Sequence, residues 1–185
     1  MPVYKRVTLT TICVVWLCSL VNAQSRAKDG SNICGFFLGM GQMTAISVAQ
    51  EQSLGHLEPK SQYPAYDMLP LNRGPLLIAY GEDFRVRWVS GPSLQTEKGL
   101  TLSSSDSIAD VRKKFGSKLL EVTDEEILCD GSVQGFKVEP DLLISVLPDD
   151  RLVFSLGPRD GWKIARGHGI SWEQLSQISK APSRR

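Results

Sequence analysis

Residues 76–92 read Leu-Leu-Ile-Ala-Tyr-Gly-Glu-Asp-Phe-Arg-Val-Arg-Trp-Val-Ser-Gly-Pro, and residues 142–158 read Leu-Leu-Ile-Ser-Val-Leu-Pro-Asp-Asp-Arg-Leu-Val-Phe-Ser-Leu-Gly-Pro. Aligned without gaps, Leu76, Leu77, Ile78, Asp83, Arg85, Gly91 and Pro92 meet Leu142, Leu143, Ile144, Asp149, Arg151, Gly157 and Pro158, every pair at an offset of 66. Such a density of identities marks an internal repeat, and a repeat constrains the fold before any single motif does. Within each copy the apolar residues alternate around a turn, as in a β-hairpin. Leu76, Ile78 and Tyr80 precede Gly81-Glu82-Asp83, and Phe84, Val86 and Trp88 follow. In the second copy Leu142, Ile144 and Val146 precede Pro148-Asp149-Asp150, and Leu152, Phe154 and Leu156 follow.

Upstream, each copy leads into a helix-like stretch. Cys34-Gly35-Phe36-Phe37-Leu38-Gly39 opens the first, and Met43, Ile46 and Leu54 share a helical face that ends at Gly55. Lys98-Gly99-Leu100-Thr101-Leu102-Ser103 opens the second. There Ser105-Asp106-Ser107 caps a helix carrying Ile108, Val111 and Phe115, and Gly116 stops it. Val133 to Val138 adds a strand to the second copy, whereas the Pro- and Tyr-rich stretch 58–75 supports no strand assignment. The predicted fold class is therefore α+β, with two tandem repeats, each a helix packed on a small antiparallel sheet. The repeats occupy 24–92 and 93–160, and residues 161–185 supply a loop, a short helix and a tail. In that helix Ser171 is the cap, and Trp172, Leu175 and Ile178 share one face.

The segment before the repeats reads as an address. Lys5 and Arg6 precede an apolar run from Val7 to Leu20, and Val21-Asn22-Ala23 has small residues where a signal peptidase cuts. The run is shorter than the roughly 20 residues that a membrane span needs, so residues 1–23 are expected to be a cleaved secretory signal and no stable membrane span is expected after cleavage. A retained anchor is the alternative. Over the whole chain, 21 basic residues oppose 20 acidic ones. Removing Lys5 and Arg6 leaves 19 against 20, a near-neutral protein without the charge footprint of a nucleic-acid binder. The expected location is the periplasm or the exterior. Of the 4 cysteines, Cys34 and Cys129 lie beyond the signal, and a pair in an exported chain suggests a disulfide that ties the two repeats together. Two buried thiols are the alternative.

A Gly-Leu-x-Leu opening (Gly99-Leu100-Thr101-Leu102), a helix from Ser107 to Phe115-Gly116 and a hairpin from Leu142 to Leu156 together resemble a bacterial exported module. Gly35 to Gly39 and Leu76 to Ser90 carry the same features in the first copy. The module is that of the group including the beta-lactamase inhibitory proteins and the small outer-membrane assembly lipoproteins. The resemblance implies two units that bind an enzyme across a concave sheet. Two departures stand against a direct transfer. The inhibitors are commonly stapled within each repeat, and the lipoproteins carry a lipid-modified cysteine at the mature N-terminus, which this chain lacks.

The residues offer little chemistry for an enzyme. His56 follows a helix end, and His168 lies in Arg166-Gly167-His168-Gly169, which reads as a Gly-rich connection. Leu38-Gly39-Met40-Gly41 lacks the strand and third glycine of a dinucleotide site, and Asp124-Glu125-Glu126 reads as a solvated loop. No cofactor and no metal site are expected. A binding surface is better supported. With Phe84, Val86 and Trp88 turned inward, Arg85 and Arg87 face the other side of the sheet, with Arg151 and Val153 in the equivalent places. Arginine beside apolar residues is a favoured anchor for a protein partner. The turn tips Glu82-Asp83 and Asp149-Asp150 are a second candidate, although acidic residues also simply form good turns. The expected function is an exported non-enzymatic protein-binding module of inhibitor or immunity type. A periplasmic envelope-assembly or structural factor is the alternative.

Overall fold

The computed structural model describes residues 30–122, 133–138 and 141–158. The expected signal (1–23), Asp124-Glu125-Glu126, Cys129, His168 and the C-terminal helix with Ser171 lie outside the described residues. All the described elements belong to a compact unit that begins at Ser31.

Among the described residues the chain is mostly β: ten strands form two antiparallel sheets, accompanied by two short α-helices and one 3-10 turn at Gly116–Lys118. The strands are β1 (Asn32–Ile33), β2 (Ala65–Leu71), β3 (Gly74–Tyr80), β4 (Val86–Gly91), β5 (Ser93–Gln95), β6 (Thr101–Ser103), β7 (Leu120–Val122), β8 (Gln134–Val138), β9 (Leu142–Val146) and β10 (Leu152–Leu156). The helices are α1 (Gln42–Glu51) and α2 (Ile108–Phe115). One sheet has three strands in the order β1-β5-β6. The other has seven, in the order β2-β3-β4-β10-β9-β8-β7.

This overturns the expected architecture of two α+β repeats, each a helix on its own small sheet. The hairpins β3–β4 and β9–β10 do fall on the similar stretches, but β4 pairs directly with β10, with Val89 opposite Leu156 and Ser90 opposite Ser155. The two hairpins are thereby fused into one continuous sheet. The physical reason lies in the strands themselves. β3 and β10 are buried at every position, so they are not covered on one side only, as helix-backed hairpins would be. At the junction, the Ser155 hydroxyl donates to the Ser90 hydroxyl at 2.9 Å within the interior.

Both helices and the three-stranded sheet pack on one face of the large sheet. Ala45, Ile46 and Ala49 of α1, Val111 of α2, and Ile33, Leu94 and Leu102 of the small sheet join Leu76, Ile78, Tyr80, Ile144, Leu152 and Phe154 in one core. Burying each large side chain there contributes roughly 1.5–3 kcal/mol. Helix α1 ends at Glu51, short of Gly55, and Met43 points to solvent instead of sharing the buried face with Ile46. Helix α2 follows its sequence closely. Ser107 and Asp110 form a reciprocal capping box, and Gly116 ends the helix at φ +55°. The stretch 58–75, whose Pro- and Tyr-rich sequence supports no strand assignment, contains the seven-residue edge strand β2. The strand expected at 133–138 is β8.

Trp88 corrects a further expectation. A β-bulge between β3 and β4 pairs Ala79 with Trp88 but Tyr80 with Val86, leaving Arg87 as the extra residue. Val86 and Val89 therefore face the main core, whereas Trp88 turns to the opposite face and joins Leu77, Ala79 and Val153.

Candidate functional site

The two hairpin turns are conformational copies. In the first, the Phe84 N–H donates to the Gly81 carbonyl at 2.9 Å, and the Gly81 N–H donates to the Arg85 carbonyl at 2.9 Å. In the second, the Asp150 N–H donates to the Leu147 carbonyl at 3.0 Å, and the Leu147 N–H to the Arg151 carbonyl at 2.9 Å. Phe84 and Asp150 both take positive φ, +52° and +62°. This is the three-residue hairpin loop, a type I turn closed by a left-handed residue. Each turn aspartate also accepts from the backbone N–H two residues on, Asp83 from Arg85 at 3.2 Å and Asp149 from Arg151 at 3.4 Å.

Side chains then pair across each turn. Arg87 Nη2 lies 2.9 Å from Asp83 Oδ2, and Arg151 Nε lies 2.7 Å from Asp149 Oδ2. Partial burial opposes ionisation of Asp149, but the bond and charge of Arg151 and the backbone N–H prevail and hold its carboxyl below the usual carboxylate range. The first turn has an additional buttress. Arg85 Nη1 donates to the Gly39 carbonyl at 2.9 Å, the Gly39 N–H donates to the Val86 carbonyl at 2.7 Å, and the Gln42 N–H donates to the Phe84 carbonyl at 3.1 Å. The tip formed by Glu82, Asp83, Arg85 and Arg87 is thus strapped to the entrance of α1, with all four side chains exposed.

The candidate residues do not form one patch. β4 and β10 run antiparallel, so the turn before β4 and the turn before β10 lie at opposite ends of the sheet. With Ser90 opposite Ser155, Asp83 and Asp149 lie about a dozen residues apart along the strand direction, so at about 3.3 Å per residue the tips are roughly 40 Å apart. Arg85 and Arg87 belong to one end, and Asp149, Asp150 and Arg151 to the other. Val153 is 7% exposed and packs with Leu77, Ala79 and Trp88, so it presents no open surface. Among the described residues the thiol of Cys34 forms no disulfide, and its Sγ approaches the Ser93 carbonyl at 3.9 Å. Burial pushes that thiol up to about 11, opposed by hydrogen bonds involving Ser93.

A polar cluster absent from the sequence reading lies beneath edge strand β2. Asp67 is 7% exposed, accepts from the Tyr80 hydroxyl at 2.9 Å and pairs with Lys60 Nζ at 2.8 Å. Burial, then the charge and hydrogen bond of Asp67, drive the Tyr80 hydroxyl well above the usual tyrosine range, so it stays a donor. The cluster borders a broad open depression that includes Lys60, Gln62, Pro64 and Tyr66. Its sequence signal was an aspartate in phase with Ala65 and Leu69, both of which face the core. The fully satisfied pair mainly anchors the edge strand, since a buried carboxylate requires a partner.

His56 is exposed, and among the described residues no group of three or more His, Cys, Asp or Glu side chains is arranged to hold a metal ion. Among the described residues, no helix is long and apolar enough to cross a membrane. No family model matches the chain, and neither the curated proteins nor the solved structures contain a significant match.

Proposed function

We propose that the chain is an exported, non-enzymatic protein-binding module of inhibitor or immunity type, and that the tip at residues 82–87 is its contact surface. The observation that carries this reading is the buttressed first turn. Arg85 and Arg87 are exposed yet held by Gly39 and Asp83. Arginine is over-represented among residues that dominate binding energy, and a side chain already held in place loses less freedom on association. The partner surface then carries acidic side chains that accept from the remaining guanidinium donors. Export rests on the signal-like residues 1–23, and the binding role also draws on the resemblance to exported inhibitory proteins.

The test is capture from an envelope extract by the chain starting at Gln24. Its binding is compared with that of the double variant Arg85→Ala/Arg87→Ala and of Arg151→Ala at the opposite end. The double variant is expected to weaken a specific complex by about 30-fold or more, the effect of losing a hot spot of about 2 kcal/mol. Arg151→Ala is expected to leave it intact. Recovery of no specific partner, or equal binding by all three proteins, would refute the assignment.

A further inference from the structure

Residues 59–62 and Pro64 join the first residues of β2, Ala65 to Met68, around an open depression of about 590 Å³. Sites for small ligands commonly have volumes of about 300–1,000 Å³. The polar character of this one begins with Asp67. Lys60 Nζ lies 2.8 Å from its Oδ1, and the Tyr80 hydroxyl donates to its Oδ2 at 2.9 Å. The carboxylate is thereby fixed on a strand, and the lysine side chain, 31% exposed, is fixed against it. An ammonium carries three donors and a carboxylate about four acceptor positions, so the pair has both kinds of group left for a ligand. Ser61 and Gln62, both exposed, add a hydroxyl and an amide to the same lining, each with a donor beside an acceptor. Pro64, Tyr66 and Met68 contribute apolar surface.

The charges of Lys60 and Asp67 offset each other at close range. A phosphate drawn by the ammonium is repelled by the carboxylate at a similar distance, and a cation meets the reverse. The depression therefore favours a neutral ligand that carries many hydroxyls on an apolar ring. We propose that it is a saccharide-binding site, in which Lys60 and Asp67 together hold adjacent hydroxyls of one sugar unit and Ser61 and Gln62 bond to the next. Because Tyr80 and Lys60 already hold Asp67 in place, little side-chain freedom is lost there on binding. The inference does not rest on the arginine tip.

Saturation-transfer difference NMR of the full chain with maltose, cellobiose and N,N′-diacetylchitobiose tests the proposal. At least one of these sugars should bind with a Kd of about 1 mM or tighter, and inorganic phosphate should not displace it. The variant Ser61→Ala/Gln62→Ala should weaken that binding about tenfold, the effect of lost hydrogen bonds, and Lys60→Met should remove it. Arg85→Ala/Arg87→Ala should bind the sugar as the parent chain does, which separates failure here from failure of the arginine surface. Absence of binding by all three sugars would overturn the proposal. So would displacement by phosphate, which marks an anion site. Equal binding by the parent chain and Ser61→Ala/Gln62→Ala, or loss in the arginine variant, would place the sugar elsewhere and refute the assignment. If Lys60→Met fails to fold, Ser61→Ala/Gln62→Ala decides, because both of its side chains are exposed and lie outside the core.

Discussion

Phe84 and Asp150 occupy the same left-handed position in two copies of one turn, yet they stand to lose different things. A non-glycine residue in that conformation costs roughly 1–2 kcal/mol. Asp150 is exposed at the turn, whereas Phe84 packs against the main core. Asp150→Gly should therefore raise stability by roughly 0.5–1 kcal/mol, and Phe84→Gly should lower it by about 2 kcal/mol or more, because lost packing exceeds relieved strain. Urea melts of the two variants check both signs. Cys34 yields a second prediction at this scale. Its thiol is raised from 9.0 to about 11 by burial, so it stays protonated at neutral pH. Iodoacetamide should label it slowly in the folded chain at pH 8 and rapidly only near pH 11 or after unfolding. A folded-state value raised in this way means the thiol's contribution to stability is complete below about pH 9 and is lost as pH rises towards 11. Labelling the unfolded chain without reductant, followed by mass measurement, also tests the Cys34–Cys129 bridge expected from the sequence. Free thiols take up label, and a bridge does not.

Among the elements, α2 is the one most completely written in local sequence. The Ser107 hydroxyl accepts from the Asp110 N–H at 3.2 Å, and the Asp110 carboxylate accepts from the Ser107 N–H at 3.1 Å. Ser107→Ala should cost about 1 kcal/mol, measured by thermal or urea unfolding. Hydrogen bonds from Ser107 hold the Asp110 carboxyl below its ordinary value of 3.8. The carboxylate's share of the cap is thus present above about pH 4 and is lost as pH falls through the lowered value. Helix α1 was harder to read because Gly41 caps it without a side-chain hydrogen bond, and its buried face is the small set Ala45, Ile46 and Ala49. Strand β2 was missed because Pro64 and Pro70 argue against a strand. A proline is tolerated at a sheet edge, where one side of the backbone makes no ladder. The bulge at Arg87 was equally hidden, since one extra residue in β4 reverses the face of Trp88 without changing any apolar pattern.

For the whole molecule, the pairing of β4 with β10 makes the two similar hairpins one structure. Two helix-on-sheet repeats would unfold in separable steps, whereas a continuous seven-stranded sheet with a shared core should unfold in one. Far-ultraviolet circular dichroism and tryptophan fluorescence should give coincident urea transitions. Two resolved transitions would contradict the single-sheet account. The same pairing sends the two charged turns to opposite ends, so the arginines of the two copies cannot act on one small epitope.

Local signals were sufficient for the α2 cap, both turns, the hairpin strands and the new strand at 133–138, because each depends on residues only a few positions apart. They also located the arginines and aspartates of the candidate surface. They did not reveal that β4 joins β10, that Trp88 and Val153 are buried on a second face, or that Asp67 finds Tyr80 and Lys60. Those facts depend on which strand edges meet and on a one-residue bulge, and strand pairing joins residues about 65 apart with no local mark in either strand. The repeat was visible in the chain, but the tertiary pairing decided that its hairpins form one sheet.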